Sequence, residues 1–125
     1  MTNEEVFKKV LDCSFKVHTA LGPGLLESSY EECLNYELKQ QGLTVEKQKP
    51  LPLICEEVKL DIGYRIDLIV DDKILIEIKS IETLAPVHFA QTLTYLRLSE
   101  LKLALLINFN CKILKNCIHR IVNNL

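Results

Sequence analysis

Between Tyr64 and Ser80 the chain carries two alternating segments, Tyr64-Arg65-Ile66-Asp67-Leu68-Ile69-Val70 and Ile74-Leu75-Ile76-Glu77-Ile78-Lys79-Ser80, separated by Asp71-Asp72-Lys73. Side chains on a strand point alternately to opposite faces. Ile66, Leu68 and Val70 are therefore expected on one face with Arg65 and Asp67 opposite, and Ile74, Ile76 and Ile78 on one face with Glu77 and Lys79 opposite. Hairpin register decides whether the two apolar faces coincide. A two-residue loop would pair Asp67 with Ile76 and leave aliphatic surface in water. A loop of Asp71, Asp72 and Lys73 pairs Leu68 with Ile76, Val70 with Ile74, Ile66 with Ile78 and Asp67 with Glu77. Each fully buried aliphatic is worth roughly 1.5 to 3 kcal/mol, so the odd loop is predicted, with a left-handed residue despite the missing glycine unless a bulge resets the register.

That register has a chemical consequence. Directly opposed side chains have Cβ atoms about 5 Å apart, so the Asp67 and Glu77 carboxylates repel unless a cation lies between them. Hard cations such as Mg²⁺ take one or two carboxylates and complete their shell with water and phosphate oxygens. Lys79, on the same predicted face, is placed to polarise a bound water or to stabilise phosphoryl charge, and the Ile78 carbonyl is a further candidate ligand. The pattern taken alone also describes a solvated sheet face with ordinary charges.

Composition narrows the choices. With 125 residues the chain is expected to form one domain. The net charge of -2 gives no global attraction to nucleic acid, and any basic groove is local. Acids that bind a cation add negative charge that the cation offsets. The start, Met1-Thr2-Asn3-Glu4-Glu5, lacks signal-peptide character, and no apolar run approaches the ~18 residues of a membrane span, so a cytoplasmic protein is expected. Five cysteines without CxxC spacing are read as buried reduced thiols rather than as zinc ligands or a disulfide framework. His18, His88 and His119 lack metal-ligand spacing, and no phosphate-binding glycine loop is present.

Along the chain, Thr2 and Glu5 form a capping-box pattern ahead of Val6, Val10, Cys13, Val17 and Leu21, which predicts a helix over 3–20 ending at Gly22-Pro23-Gly24. A second helix is predicted over about 26–41, with Leu26, Tyr30, Leu34 and Leu38 on one face. Residues 43–80 read as an antiparallel meander of three strands, with Pro50 and Pro52 assigned to an edge or a bulge because proline cannot donate to the ladder. Pro86 opens a helix over about 87–98, Leu103 to Ile107 reads as a strand covered on both faces, and 117–122 as a final strand.

Gly24-Leu25-Leu26-Glu27-Ser28-Ser29-Tyr30 resembles the signature that names the GxxExxY protein family. The similarity continues through Tyr64-Arg65-Ile66-Asp67, Glu77-Ile78-Lys79, Pro86-Val87-His88, Gln91 to Leu96 and Leu106 to Phe109. That family resembles a compact branch of the PD-(D/E)XK superfamily. The resemblance implies an α/β fold with a mixed sheet flanked by helices, in the order α-α-β-β-β-α-β-β. It implies a Mg²⁺- or Mn²⁺-dependent nuclease acting on DNA, with Asp67 and Glu77 as metal ligands, Lys79 as the lysine of the motif and Glu27 as a helix glutamate joining the metal site. Gln91 and Tyr95 resemble a Q-x-x-x-Y motif of RecB-like nucleases, in which the glutamine lies beside the active site. The cysteines that hold an iron–sulfur cluster in some RecB-like members have no counterpart here. Arg65 and Tyr95 are assigned to nucleic-acid contact. The alternative is a nucleic-acid-binding or complex-assembly module that keeps the fold with little catalysis of its own. A homodimer is expected, since so small a domain offers little surface for a duplex.

Overall fold

The computed structural model describes residues 1–60 and 63–125. Helix α1, Asn3–Leu21, begins at the predicted capping box: the Thr2 hydroxyl accepts from the Glu5 N–H and the Glu5 carboxylate accepts from the Thr2 N–H, each at 3.1 Å. Its apolar stripe, including Val6, Val10, Cys13 and Val17, is buried. Gly22, with a φ of 70°, ends it by donating to the His18 carbonyl.

Helix α2, Glu27–Gln40, follows the Gly22-Pro23-Gly24 turn. Tyr30 is fully buried and ties the turn to the helix: its hydroxyl donates to the Gly22 carbonyl at 2.6 Å and accepts from the Leu25 N–H at 3.1 Å. Its ring lies parallel to Phe109, with centroids 4.5 Å apart. The tyrosine of the Gly24-to-Tyr30 signature is thus a structural clamp that sets where Glu27 begins its helix.

Five strands make the main sheet in the order β1-β4-β5-β6-β7: β1 Val45–Pro50, β4 Arg65–Val70, β5 Ile74–Lys79, β6 Leu103–Asn108 and β7 Ile118–Val122. β5 and β6 are parallel, joined through α3, Pro86–Leu98, and the other pairs are antiparallel. Pro50 sits at the end of the edge strand β1, where its missing N–H leaves no gap inside the sheet. Every residue of β6 is buried, as expected for a strand covered on both faces.

Two apolar clusters flank the sheet. Leu68, Val70, Ile74, Ile76, Ile78, Leu105 and Ile107 pack against α1 and α2, whereas Ile69, Leu75 and Ala104 pack against Tyr95 and Leu96 of α3. Among the described residues no helix is long and apolar enough to cross a membrane.

The structure departs from the sequence reading in four places, the first being Leu26, expected on the same helical face as Tyr30 but exposed at the N-cap of α2. Where three strands are expected between 43 and 80, five occur among the described residues: β2, Leu53–Cys55, and β3, Val58–Leu60, form a separate two-stranded sheet. Positions 61 and 62 of the expected meander lie outside the described residues. Ile66 joins the cluster beneath α3 instead of sharing a face with Leu68, for a reason given below. Cys111 and Cys117 form a disulfide and Cys55 is exposed, so only Cys13 matches the expected buried thiol and Cys33 is half-buried.

Replacing Tyr30 with Phe leaves the Gly22 carbonyl and Leu25 N–H without their partner, and is expected to lower unfolding free energy by about 1 to 3 kcal/mol. Tyr36→Phe on the exposed side of the same helix is expected to change it by less than about 0.5 kcal/mol. Urea titration of the two variants checks both values.

Candidate metal and nucleic-acid site

The β4–β5 hairpin has the predicted register near its turn: Val70 pairs with Ile74 and Leu68 with Ile76 across Asp71, Asp72 and Lys73. Asp71 and Asp72 both adopt left-handed backbone, with φ of 51° and 53°. The Asp71 carboxylate accepts from the Thr44 N–H and hydroxyl, which anchors this conformation in the absence of glycine.

Beyond Leu68 and Ile76 the paired ladder stops. The Asp67 carboxylate takes over, its Oδ2 accepting from the Ile78 N–H at 2.7 Å. A side chain inserted where a backbone carbonyl would otherwise accept parts the strands, so the expected Ile66–Ile78 and Asp67–Glu77 ladder pairs do not form. Ile66 packs in the cluster on the α3 side.

The two acids nonetheless meet. Glu77 is 3% exposed, and its Oε1 is buried without a hydrogen-bond partner. Burial raises its pKa to about 10, with the adjacent Asp67 charge and a hydrogen bond to Asp67 adding to the rise, Lys79 opposing it and Glu27 adding a smaller increment. Burial and the neighbouring Asp67 charge thus favour the protonated form of Glu77 in the metal-free chain. This is the arrangement expected of two close carboxyls that cannot both ionise.

Glu27 stands at the first residue of α2, its Oε2 3.4 Å from the Ser80 N–H just past β5. The Ser80 hydroxyl donates to the Leu25 carbonyl in the same turn. Glu27 thus lies at the same end of the sheet as the acid pair. Among the described residues, however, no group of three or more His, Cys, Asp or Glu converges as a metal site. On α3, Gln91 Nε2 donates to the Tyr95 hydroxyl at 3.1 Å. Burial, then the charge of Glu77, pushes the Tyr95 phenol up, which sets it beside the acid pair. Arg65 is exposed at the start of β4, with Nη1 3.5 Å from the Gln48 carbonyl.

Three further residues shape this end of the sheet without having been singled out as site residues. Glu31, one helical turn beyond Glu27, is buried, and burial raises its pKa. Gln48 bridges it to Asp67, its amide donating to Glu31 at 2.5 Å and to Asp67 Oδ1 at 3.3 Å, and Gln48 holds a left-handed φ of 49°. The i, i+4 spacing of Glu27 and Glu31 was the available signal. Asn108, also buried, accepts from the Ile81 N–H and donates to the Ile81 carbonyl, fixing the chain just past Lys79 and Ser80.

A comparison with protein families matches residues 4–121 to the PD-(D/E)XK nuclease superfamily. The chain belongs to that superfamily. Searches of curated proteins and of solved structures return no significant match. The mixed sheet with helices on both faces has the architecture expected of that superfamily.

The raised Glu77 pKa has a defined sign in stability. The folded chain retains a proton that the unfolded chain releases above its ordinary value of 4.5. The stability tied to that proton is complete below 4.5 and is lost as pH rises toward about 10. In metal-free buffer, Glu77→Gln keeps the shape and removes the ionisation. Its thermal midpoint is expected to rise above that of the native chain by an amount that grows from about pH 5 to about pH 9.

Proposed function

We propose that this chain is a nucleic-acid-binding or complex-assembly domain on the PD-(D/E)XK fold, with little phosphodiester hydrolysis as a free chain. The observation that carries this reading is the make-up of the site: no group of three or more His, Cys, Asp or Glu converges on it among the described residues. In the metal-free chain burial favours the protonated form of Glu77, and one oxygen of Asp67 accepts from the Ile78 N–H. The nucleic-acid half of the reading is supported by the superfamily, by Arg65 and Lys79 at the same end of the sheet, and by Gln91 and Tyr95 beside the acids. DNA is the polymer that the resemblance to the GxxExxY family favours.

A second reading, a Mg²⁺- or Mn²⁺-dependent nuclease, is favoured by one specific feature: the buried Glu77 Oε1 has no partner, although Asp67 and Lys79 lie beside it. Two carboxylates fit a hard cation that fills its remaining positions with water and phosphate oxygens. Asp67 and Glu77 would hold it, and it would supply activation of water and neutralisation of phosphate charge. Lys79 would stabilise charge on the phosphoryl group, Glu27 would approach from α2, and Gln91 would orient the substrate from α3.

One experiment separates the two readings. Labelled single-stranded, duplex and branched DNA are titrated with the protein by fluorescence anisotropy at several salt concentrations, then incubated with Mn²⁺ or Mg²⁺ alongside Lys79→Ala. The leading reading expects binding that weakens as salt rises, as phosphate contacts require, and no cleavage that depends on Lys79. Cleavage abolished by Lys79→Ala would replace it with the nuclease reading. Absence of binding to every DNA form would contradict both.

A further inference from the structure

Beside the acid pair, between the start of β4 and the outer side of α3, is a hollow of about 220 Å³ lined by Leu53, Tyr64, Gln91, Thr94, Tyr95 and Leu98. Its lining joins two aromatic rings and two aliphatic walls to one amide and one hydroxyl. Tyr64 is 40% exposed and its ring meets Tyr95 edge to face, with centroids 6.3 Å apart at 74°. Such a contact occupies at most one face of one of the two rings, so aromatic surface remains for a planar ligand. Gln91 spends one amide hydrogen on the Tyr95 hydroxyl. A glutamine side chain has a second N–H and a carbonyl oxygen to offer, and this donor–acceptor pair matches the edge of a nucleobase.

Size and location point to the same ligand. The hollow is smaller than the roughly 300 to 1,000 Å³ of pockets that take drug-sized molecules, and suits a single ring system. Tyr95 is shared between the hollow and the acid site, since its phenol senses Glu77 and Asp67 while its ring lines the hollow. Arg65 follows Tyr64 directly, and Asp67 is two residues further along β4. A nucleotide whose phosphate lies by Arg65 and Lys79 therefore has this hollow within reach of its base. A base stacked in a duplex cannot enter such a recess, whereas a base in a single strand or a splayed end can.

We infer that this hollow receives one unstacked nucleobase, with Tyr64 as the stacking platform and Gln91 and Thr94 reading the edge of the base. The inference rests on the nucleic-acid reading above and deepens it: the substrate class becomes single-stranded or locally unpaired nucleic acid. None of the three residues is required to ionise or to bind metal for this role.

The test compares a short single-stranded DNA oligonucleotide, its duplex, and an abasic strand with the same number of phosphates, each titrated by anisotropy in metal-free buffer. The native chain is expected to bind the single strand more tightly than the abasic strand. Tyr64→Ala is expected to weaken single-strand binding on the order of ten-fold, the usual effect of losing a stacked base, and to leave duplex and abasic binding unchanged. Tyr64→Phe, which keeps the ring, is expected to bind as the native chain does. Equal affinity of the native chain for normal and abasic strands would overturn the base receptor without recourse to any variant, as would a Tyr64→Ala protein that binds the single strand undiminished. In both cases the nucleic-acid reading survives. If the native chain binds none of the three ligands, the nucleic-acid reading falls and the receptor falls with it.

Discussion

The bond from the Ile78 N–H to the Asp67 carboxylate is the interaction on which the functional end of this molecule depends. It occurs where the β4–β5 ladder would have continued, and it substitutes a side-chain acceptor for a backbone one. Three features follow. The strands part, Ile66 is released to the α3 side, and the two acids are brought together at the end of the sheet. A continuous ladder would have kept the apolar faces regular and set Asp67 simply opposite Glu77. The interruption instead leaves Glu77 buried beside Asp67, with its Oε1 lacking a hydrogen-bond partner.

Such an arrangement is unfavourable for folding. A buried acceptor without a partner carries a desolvation penalty of about 1 to 3 kcal/mol, and a carboxyl forced to remain neutral ties stability to pH. Gln48 in a left-handed conformation, bridging Glu31 to Asp67, is a second local concession in the same few ångströms. The surrounding structure holds these groups in place. Tyr30 clamps the turn before α2, Asn108 fixes the chain beyond Lys79, and Thr44 anchors the hairpin turn through Asp71. Concentration of unfavourable features at one end of a well-packed sheet is the pattern of a site kept for function.

Much of this was legible from the residues alone because it follows from local rules. The Thr2–Glu5 cap, the glycine stop of α1, the edge position of Pro50, the fully covered β6 and the odd hairpin turn each depend on neighbouring residues and on the cost of exposing aliphatics. Parity along β4 and β5 correctly grouped Leu68, Val70, Ile74, Ile76 and Ile78. It failed at Ile66, because alternation assumes an unbroken ladder and cannot anticipate a carboxylate accepting in place of a carbonyl. Glu31 and Gln48 were missed for a related reason: their role arises from contacts between α2, β1 and β4 that are distant in the chain. The short β2–β3 pair lay in a proline-punctuated stretch whose strands are only three residues each, too brief for periodicity to declare. The Cys111–Cys117 bridge depends on the fold of the segment between β6 and β7, which spacing alone does not reveal.

The account stands on a neutral Glu77 beside Asp67 in the metal-free chain. NMR of the side-chain carboxyl carbons, with the Glu77 resonance assigned through Glu77→Gln, reads that state directly as pH is raised. The account predicts that the Glu77 carboxyl keeps the shift of the protonated acid through neutrality and titrates only in the alkaline range. A midpoint near the ordinary 4.5 would contradict it, showing an ionised Glu77 and an acid pair already charged to receive a cation.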